Sequence, residues 1–326
     1  MKKQMSMMKG SVILALLLGC GSCLAWGLNG HRTIGAVADR LLENTPAQKK
    51  LATLLLPAEN LSSVAPWADC VKHPKICGQT ALTDEQARFE ANNHDNAEYH
   101  YTDLPFDAGH YVDKAVGSNE IDVVHIVQQC IAVLGGNQNP DSNPHHFSQR
   151  EALLLLVHLV GDLHQPLHVG TVYLTQDGVV QTPTAAQLKA LGTVGGNSLF
   201  INGKEGNLHA YWDSNVVEAA MHASKTTTPQ ALADALLKGK PRPTPLKGDL
   251  APQVLAWADE SLDAAEIAYH GVGYSAHREF VHGKYTEKGW AVTLPANYAQ
   301  VTNDIARERL LLAGKRLAAL LQLLLK

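Results

Sequence analysis

Three histidines and an aspartate fall within eleven residues in the segment His158–His168, which directly follows an apolar run. Such a run predicts a buried helix. His158 and Asp162 are four residues apart and therefore share one face of that helix. Pro166 removes a backbone donor and is expected to end the helix just before it, with His168 on the following loop. This density of imidazole and carboxylate groups favours a zinc site over a helix with hydrogen-bonded core histidines.

A second pair at helical spacing, His209 and Asp213, lies further along the chain. Together with His31, Asp69 and His100, these residues exceed the four ligands of one tetrahedral zinc, so two or three ions are expected. Imidazole and carboxylate ligands with no required cysteine indicate catalytic rather than structural zinc. The His-Glu-x-x-His pattern of metalloproteases is absent from the sequence.

Residues 1–25 have the organisation of a secretory signal, with a basic start, an apolar core and small residues before the expected cleavage after Ala25. The apolar core is too short to span a membrane. Lipid attachment at Cys20 is the alternative, although the residues before it match such a signal poorly. Cleavage leaves a domain of residues 26–326, with Trp26 at its N-terminus, in the periplasm or outside the cell.

The 326 residues are 45% hydrophobic, which is enough for a sizeable core. Loss of the signal lysines leaves 24 basic and 31 acidic residues, a net charge of −7 that disfavours generic nucleic-acid binding. Any phosphate chemistry therefore needs local positive charge, from metal ions or a few Lys and Arg. In an exported chain Cys70 and Cys77 are the short-range disulfide candidates, and Cys130 is expected to be a buried thiol.

The expected fold class is all-α, a single mostly helical domain. Apolar spacing and capping residues predict helices over residues 30–43, 47–56, 83–92, 123–134, 148–165, 209–221, 254–269 and 303–325. Residues 57–82 and 171–196 read as loops, and the proline-rich segment 225–250 as a surface excursion. A small β-hairpin is expected near 198–208, around Asn202-Gly203, and no strand ladder forming a larger sheet is recognisable.

At this point the residues match a known family. The chain resembles the zinc-dependent single-strand-specific nucleases, also called 3′-nucleotidases or class I nucleases, which share their fold with zinc-dependent phospholipase C. The resemblance runs to about residue 213 and more loosely to the C-terminus. It rests on these motifs: Trp26-Gly-x-x-Gly-His31, Trp67-Ala-Asp69, His100-Tyr-x-Asp103, the segment His158–His168, Gly195-Gly-Asn197 and Leu208-His-x-x-Trp-Asp213.

The resemblance implies three Zn²⁺ ions per chain, and all nine ligand positions hold the expected residue type. The first ion would be held by Asp69, His100, His158 and Asp162. The second would be held by the amine and carbonyl of Trp26, with His31 and Asp162. The third, set apart, would be held by His168, His209 and Asp213. Asp162 would thus bridge a close pair of ions.

Such a site implies a reaction. Zinc lowers the pKa of bound water to about 7, so hydroxide can attack phosphorus at neutral pH while the third ion stabilises the departing 3′-oxygen. The expected enzyme is a secreted, monomeric endonuclease and 3′-nucleotidase. It would cut single-stranded DNA, single-stranded RNA and 3′-nucleotides to give 5′-phosphorylated products. Because the Trp26 amine must be free to bind metal, removal of the signal would activate the protein.

Several further residues are candidates for contact with substrate. Lys72 is expected to pair with the scissile phosphate, Tyr101 to stack on a base, and Asn197 to hydrogen-bond the substrate. Asp103 is expected to orient the nucleophile or a ligand histidine. Each has a plainer alternative: a solvated lysine, core packing, a turn residue and a turn cap, respectively. The expected catalytic residues are Asp69, Lys72, Asp103 and Asp162.

The sequence departs from the family pattern where Thr171 to Thr193 separates the last histidine of the segment His158–His168 from the glycine pair. This insertion is expected at the rim of the cleft, where it would affect which substrates enter. His164 lies off the ligand pattern and is expected to be structural. Two rival functions remain: a phospholipase C-like zinc phosphodiesterase, and a periplasmic metal-binding protein without catalysis.

Overall fold

The computed structural model describes residues 26–203, 206–240, 245–282 and 285–326, and the expected signal segment lies outside the described residues. The described chain is mostly helical with two small sheets, which confirms the expected fold class. None of the helices in these ranges has both the length and the apolar character needed to cross a bilayer.

The α-helices of the described residues are, in chain order, α1 (Gly27–Leu42), α2 (Pro46–Leu54), α3 (Leu61–Val64), α4 (Trp67–Lys72), α5 (Asp84–Asn92), α6 (Val123–Leu134), α7 (Gln149–Leu163), α8 (Leu188–Leu191), α9 (Leu208–Ala210), α10 (Val216–Ala223), α11 (Pro229–Leu237), α12 (Ala251–Tyr269) and α13 (Tyr298–Leu324). The strands are β1 (Leu104–Pro105), β2 (Gly170–Thr171), β3 (Leu199–Ile201), β4 (Gly273–His282) and β5 (Tyr285–Thr293). A π-helical turn, Tyr211–Asn215, joins α9 to α10.

Helix α7 lies at the centre of the fold and is buried from Ala152 to Leu163. It begins with the expected capping box, in which the Ser148 and Glu151 side chains each accept a hydrogen bond from the other residue's backbone N–H. The helix ends ahead of Pro166, as predicted. A helix that is apolar on every side has to be surrounded, and α1, α4, α6 and α13 pack around it.

Helices α1 and α13 cross at very close range. A Cβ atom at Gly314 of α13 would lie 2.5 Å from the Cβ of Val37 in α1. Only glycine allows this separation of the backbones. Helix α1 is similarly close to α3 and α7, since a Cβ atom at Gly35 would lie 2.5 Å from the Leu61 carbonyl oxygen and one at Gly161 would lie 2.9 Å from Nδ1 of His31. At the contact with α7 the rings of His31 and His158 stack with centroids 3.8 Å apart.

The prediction of a loop over residues 57–82 was wrong. Helices α3 and α4 and a 3₁₀ turn, Pro74–Cys77, occupy much of this segment. Asn60 begins α3 with a capping box to Ser63. Elements of four to six residues contain about one helical turn, so no apolar repeat reveals them in the sequence.

A three-stranded sheet in the order β3-β5-β4 was also missed. Strands β4 and β5 form a long antiparallel hairpin, and β3 pairs with β5 in parallel. Phe280, Trp290 and Val292 are buried, but charged residues such as Glu279 and Lys288 lie exposed beside them. This mixed composition hid the period of two that marks a strand.

The hairpin expected near 198–208 is present only in part. Asn202 and Gly203 have positive φ angles, as a tight turn requires, and Phe200 forms an isolated antiparallel bridge with Asn207. The main partner of β3 is nevertheless β5.

Two other irregular segments contain more structure than expected. The insertion carries α8 and two isolated bridges, Tyr173 with Gly192 and Leu174 with Val180. The proline-rich excursion carries α11, which packs against α1.

The cysteines behave as predicted. Cys70 and Cys77 form a disulfide with Cα atoms 5.6 Å apart, which ties α4 to the turn that follows it. Cys130 is a buried free thiol on α6. Because α4 carries Asp69 and Lys72, this disulfide holds two of the predicted site residues on a fixed element.

A first prediction concerns the start of α7, where the Arg150 guanidinium donates to Glu59, Glu85 and the Leu54 carbonyl. The Arg150 side chain is only 17% exposed. Arg150→Met leaves two carboxylates unpaired and is expected to lower the free energy of unfolding by about 2 kcal/mol. Arg40→Met, which breaks an exposed pair with Asp234, is the control and should cost less than about 1 kcal/mol in the same urea titration. Equal effects would contradict the role given to Arg150.

Candidate metal centre

All nine residues expected to bind metal are buried and come from distant parts of the chain. The side chains of all of them except Trp26 form three clusters, in each of which one ligand atom from every residue lies within 4.8 Å of the others. Within the described residues the clusters are His31, His158 and Asp162; Asp69, His100 and His158; and His168, His209 and Asp213. The structure therefore brings together the side chains that the sequence motifs assigned to three ions.

Asp162 connects the first two clusters because its two carboxylate oxygens face different histidines. The Oδ1 atom lies 3.3 Å from Nε2 of His31. The Oδ2 atom lies 2.9 Å from Nδ1 of His100 and 3.3 Å from Nε2 of His158. The Asp69 carboxylate approaches the same histidines from α4, with Oδ1 at 3.9 Å from His100 and 3.8 Å from His158. This geometry is suited to a carboxylate shared by two ions.

The third cluster holds two imidazole nitrogens face to face. Nδ1 of His168 donates to the His100 carbonyl oxygen at 2.6 Å, and Nδ1 of His209 donates to the Gly195 carbonyl oxygen at 2.8 Å. Each Nε2 atom therefore presents a lone pair, and the two Nε2 atoms lie 3.1 Å apart. Two lone pairs repel at this distance unless a cation or a proton lies between them. The Asp213 carboxylate, 3.3 Å from Nε2 of His209, completes the cluster.

His158 is oriented in the same way. Its Nδ1 atom donates to the Ala65 carbonyl oxygen at 2.7 Å, which leaves the Nε2 lone pair directed at the acidic side chains. Hydrogen bonds of this kind, from the far ring nitrogen to a backbone carbonyl, fix the tautomer of metal-binding histidines in proteins. Three of the predicted ligand histidines thus have their metal-binding nitrogen selected by the fold.

Trp26 closes one side of the centre. Its backbone N donates to Oδ1 of Asp213 at 3.2 Å, and its indole Nε1 donates to the Gly161 carbonyl oxygen at 2.9 Å. Its φ angle of 45° is unusual for a bulky residue. The backbone N is therefore hydrogen-bonded to an aspartate of the third cluster, whereas the resemblance assigns the Trp26 amine to the ion of His31 and Asp162. The indole holds Trp26 against α7.

The buried polar atoms test whether these residues fit a metal ion. Both ring nitrogens of His31, both carboxylate oxygens of Asp69, Oδ1 of Asp162 and Oδ2 of Asp213 are buried without a hydrogen-bond partner. Unpaired buried polar atoms cost about 1–3 kcal/mol each, and more where they are charged. Their concentration at one place is the pattern expected of ligands, so the donor set fits divalent cations with N/O preference.

Protonation favours the same interpretation. Burial lowers the pKa of four cluster histidines, and the pKa of both His100 and His209 falls to about 3. Burial is the largest cause in each case; for His209 the neighbouring His168 adds to it. These imidazoles are neutral at physiological pH, which is the form that binds metal. For His158, Asp162 and Asp69 outweigh burial and raise the pKa.

The two aspartates at the ends of the centre differ. Burial favours the neutral form of both, but His158 and the other facing histidines hold the pKa of Asp162 well below its usual value. For Asp213 burial prevails and raises the pKa well above its usual value, although Gln165 donates to its Oδ1 atom at 2.8 Å. Asp162 is therefore the anionic centre of the site.

A cleft of about 190 Å³ opens onto this centre. It is lined by the ligand histidines His100, His168 and His209. The four predicted substrate and catalytic residues outside the ligand set line the same cleft, namely Lys72, Tyr101, Asp103 and Asn197. Lys72 is the last residue of α4 rather than a loop lysine. Every predicted site residue other than Trp26 thus lies either in the clusters or at the cleft.

Asp103 is held mainly through its backbone. Its N–H donates to the Gly117 carbonyl oxygen at 2.9 Å, and its carbonyl oxygen accepts from the Tyr173 hydroxyl at 2.6 Å. Burial and the charge of Glu98 raise the pKa of its carboxyl group to about 6.

Two residues at the site were missed from the sequence. Gln165 donates to Asp213 and accepts from the Leu167 N–H, so it fixes the turn after α7. Val194 lines the cleft, is 53% exposed, and has a φ of 55°, which is strained for a β-branched residue. Gln165 stands inside the motif and could have been found there, whereas nothing in the sequence marks Val194.

The fold and the site together define a class: mostly helical proteins with a buried His/Asp centre for several metal ions beneath one cleft. The S1/P1 Nuclease family model matches residues 26–326. Endonuclease 2 of Arabidopsis thaliana is 26% identical over 94% of this chain and 92% of its own length, and Endonuclease 4 of that plant is 25% identical over 95% and 92%. Nuclease S1 of Aspergillus oryzae is 24% identical over 92% and 91%. The chain belongs to the S1/P1 nuclease family, which confirms the resemblance and indicates a nuclease acting on nucleic acids.

The geometry of Asp162 leads to a second prediction. Asp162→Ala removes a carboxylate that faces two clusters, so the variant is expected to bind two fewer Zn²⁺ ions than the wild type after chelation and zinc titration. Asp122→Ala is the control, because Asp122 is an equally buried aspartate that caps α6 and belongs to none of the clusters. Metal content measured by elemental analysis on folded protein separates the cases. Loss of a single ion from Asp162→Ala would show that Asp162 is not shared.

Proposed function

We propose that this protein is an exported, zinc-dependent endonuclease and 3′-nucleotidase. It hydrolyses phosphodiester bonds of single-stranded DNA and RNA to give 5′-phosphorylated products, and it releases inorganic phosphate from 3′-phosphomonoesters. The observation that carries the proposal is the pair of Asp162 oxygens facing two clusters, with the third cluster and Lys72 at the same cleft. Three Zn²⁺ ions per chain correspond to the three clusters.

Zinc supplies two things when bound: a water whose pKa is lowered to about 7, and positive charge for the phosphate oxygens. The histidines and Asp162 contribute preorganisation, because their ring tautomers and carboxylate orientation are fixed before substrate arrives. The bound cations and Lys72 also give the cleft a local positive charge. A phosphate can therefore bind there although the net charge of the chain is negative.

The residues around the cleft take distinct roles in this proposal. Lys72 donates to a non-bridging oxygen of the scissile phosphate. Asp103, whose carboxyl pKa is raised to about 6, accepts a proton from the attacking water at near-neutral pH. Tyr101 stacks on a base, which suits a substrate whose bases are unpaired, and Asn197 hydrogen-bonds the nucleotide.

The two rivals make different demands on the same site. A phospholipase C-like enzyme would use the same metals, but Asp213 in place of Glu as the last ligand, and the Gly195-Gly-Asn197 turn, favour the nuclease. A protein that only binds metal needs no open cleft, whereas here a lysine and an amide side chain line one above the clusters.

Export is supported by the Cys70–Cys77 disulfide and by the family match, which begins at Trp26, the residue after the expected cleavage position. The domain of residues 26–326 is then the mature enzyme, expected to act as a monomer. Its own N-terminal amine would be a metal ligand, together with the Trp26 carbonyl. Attachment to lipid at Cys20 would leave that amine in a peptide bond.

A third prediction tests the function directly. Zinc-loaded mature protein is expected to cut a single-stranded oligonucleotide at least tenfold faster than the same sequence as a duplex, to release 5′-phosphate ends, and to dephosphorylate 3′-AMP but not 5′-AMP. Chromatography of the products measures all three.

Phosphatidylcholine vesicles serve as the comparison substrate in that assay. Hydrolysis of the lipid with no cleavage of the oligonucleotide would support the phospholipase. Inertness of zinc-loaded, folded protein towards every ester would support the metal-binding rival. Cleavage of nucleic acid without action on 3′-AMP would keep the nuclease and remove the nucleotidase.

A fourth prediction concerns the N-terminus. Protein recovered from the expressing cell's exterior or periplasm is expected to begin at Trp26 by N-terminal sequencing. A version that keeps one added alanine before Trp26 converts the amine to an amide, and its activity should fall at least tenfold with one zinc bound less tightly. Removal of that alanine by an aminopeptidase is the control and should restore both. Full activity with the added residue would contradict metal binding by the amine.

A further inference from the structure

The turn that follows α7 runs from Asp162, whose carboxylate faces the first two clusters, to His168 of the third cluster. Its inner side is fixed by Gln165, as described above. Its outer side is held by charged side chains from α12 and α13, none of which belongs to a predicted ligand motif. These contacts concentrate on the last carbonyl groups of α7, which have no partner within the helix.

Arg309 of α13 reaches this helix end directly. Its Nε atom donates to the His164 carbonyl oxygen at 3.2 Å, and its Nη1 atom donates to Oε2 of Glu260 at 3.1 Å. Ser261 of α12 donates to the Leu163 carbonyl oxygen and accepts from the same guanidinium group. The Arg309 side chain is only 6% exposed.

Arg316, two turns further along α13, holds the His164 ring. Its Nη1 atom lies 2.8 Å from Nε2 of His164, and its Nη2 atom donates to Oε1 of Glu260 at 2.6 Å. The His164 Nδ1 atom donates to the Val160 carbonyl oxygen at 2.7 Å. His164 is therefore a neutral ring that accepts from Arg316 on one side and caps α7 on the other, while the guanidinium also lies 5.1 Å from the Trp257 ring centroid.

Burying the Arg309 guanidinium, with that of Arg316 half-buried beside it, is costly when their shared carboxylate, Glu260, is itself 42% exposed, and a packed apolar cluster would often stabilise a protein equally well. Positive charge at a helix C-terminus recovers part of that cost through the helix dipole. Hydrogen bonds also depend on orientation, which apolar packing does not. The charged network therefore fixes the orientation of the Leu163 and His164 carbonyls and of the His164 ring.

We propose that Arg309 and Arg316, joined through Glu260, are positioning residues of the metal centre. They set the path of the chain from Asp162 to His168 and hence the separation between the shared carboxylate and the third cluster. This inference rests on the proposed function, because it concerns how the zinc ligands are held. Groups that hydrogen-bond a zinc ligand directly typically alter metal affinity by about 10–100-fold when they are removed, and the same range is expected for these arginines, which act on Asp162 and His168 through the turn between them.

The test compares the two ends of α7. Arg316→Met removes the contacts with His164 and Glu260 at the end that bears the ligands. Arg150→Met breaks a similar half-buried ion pair at the opposite end of the same helix and is the matched control for lost stability. Zinc affinity is measured by competition with a chromophoric chelator, and the Co²⁺-substituted protein gives a visible spectrum that reports ligand geometry.

Arg316→Met is expected to weaken the weakest zinc site about 10–100-fold and to change the shape of the Co²⁺ absorption band. Arg150→Met should leave the zinc affinity and the band shape unchanged, although its Tm falls by a similar amount. Arg316→Lys can contact either His164 or Glu260 but not both, so it should show a smaller loss in affinity; it decides the matter if Arg316→Met does not fold. Unchanged affinity and spectrum in the Arg316 variants would overturn the inference, as would an equal loss in Arg150→Met. A wild type that binds no zinc contradicts the proposed function itself, and the inference with it.

Discussion

The constraint on which the rest of the structure depends is the convergence on Asp162 of buried imidazole nitrogens and carboxylate oxygens, several of which have no hydrogen-bond partner. Carboxylates and imidazole lone pairs packed together inside an apolar core carry a large electrostatic cost, and they persist only where cations or protons offset it. The burial of apolar side chains around these groups offsets that cost. Helix α7 is apolar on every side, so its burial is strongly favourable, and the buried segment carries His158 and Asp162 into the interior with it.

The other elements are arranged to bring ligands to that helix. The lack of a side chain at Gly161 leaves room for His31 to stack on His158, and α4 packs on α7 and carries Asp69. The chain after α7 returns through a tight turn to place His168 against His209. Stability and function therefore use the same contacts, and the site is built on helices and short rigid turns rather than on long loops.

The pairs His158/Asp162 and His209/Asp213 could be predicted from the sequence because a spacing of four residues is a local property, whereas the complete ligand set was implied only by the resemblance to the family. The orientation of the rings could not be predicted. It depends on carbonyl groups from remote segments, such as that of Ala65 for His158. The one-turn helices were missed because they are too short for an apolar repeat to emerge, and strands β4 and β5 were missed because charged residues interrupt their alternating pattern.

In the insertion Thr171–Thr193, separation along the chain is a poor guide to separation in space. In sequence it separates His168 from Gly195, yet its two ends meet, because the hydroxyls of Thr171 and Thr193 lie 3.2 Å apart and the Gly195 N–H donates to Thr171. The loop is thus closed at its base, and the Gly195 carbonyl stays in place to fix His209. Its Tyr173 hydroxyl also holds the Asp103 backbone. An added segment that looks disruptive in the sequence is closed at its base beside the metal centre, and through Tyr173 it supports Asp103, which lines the cleft.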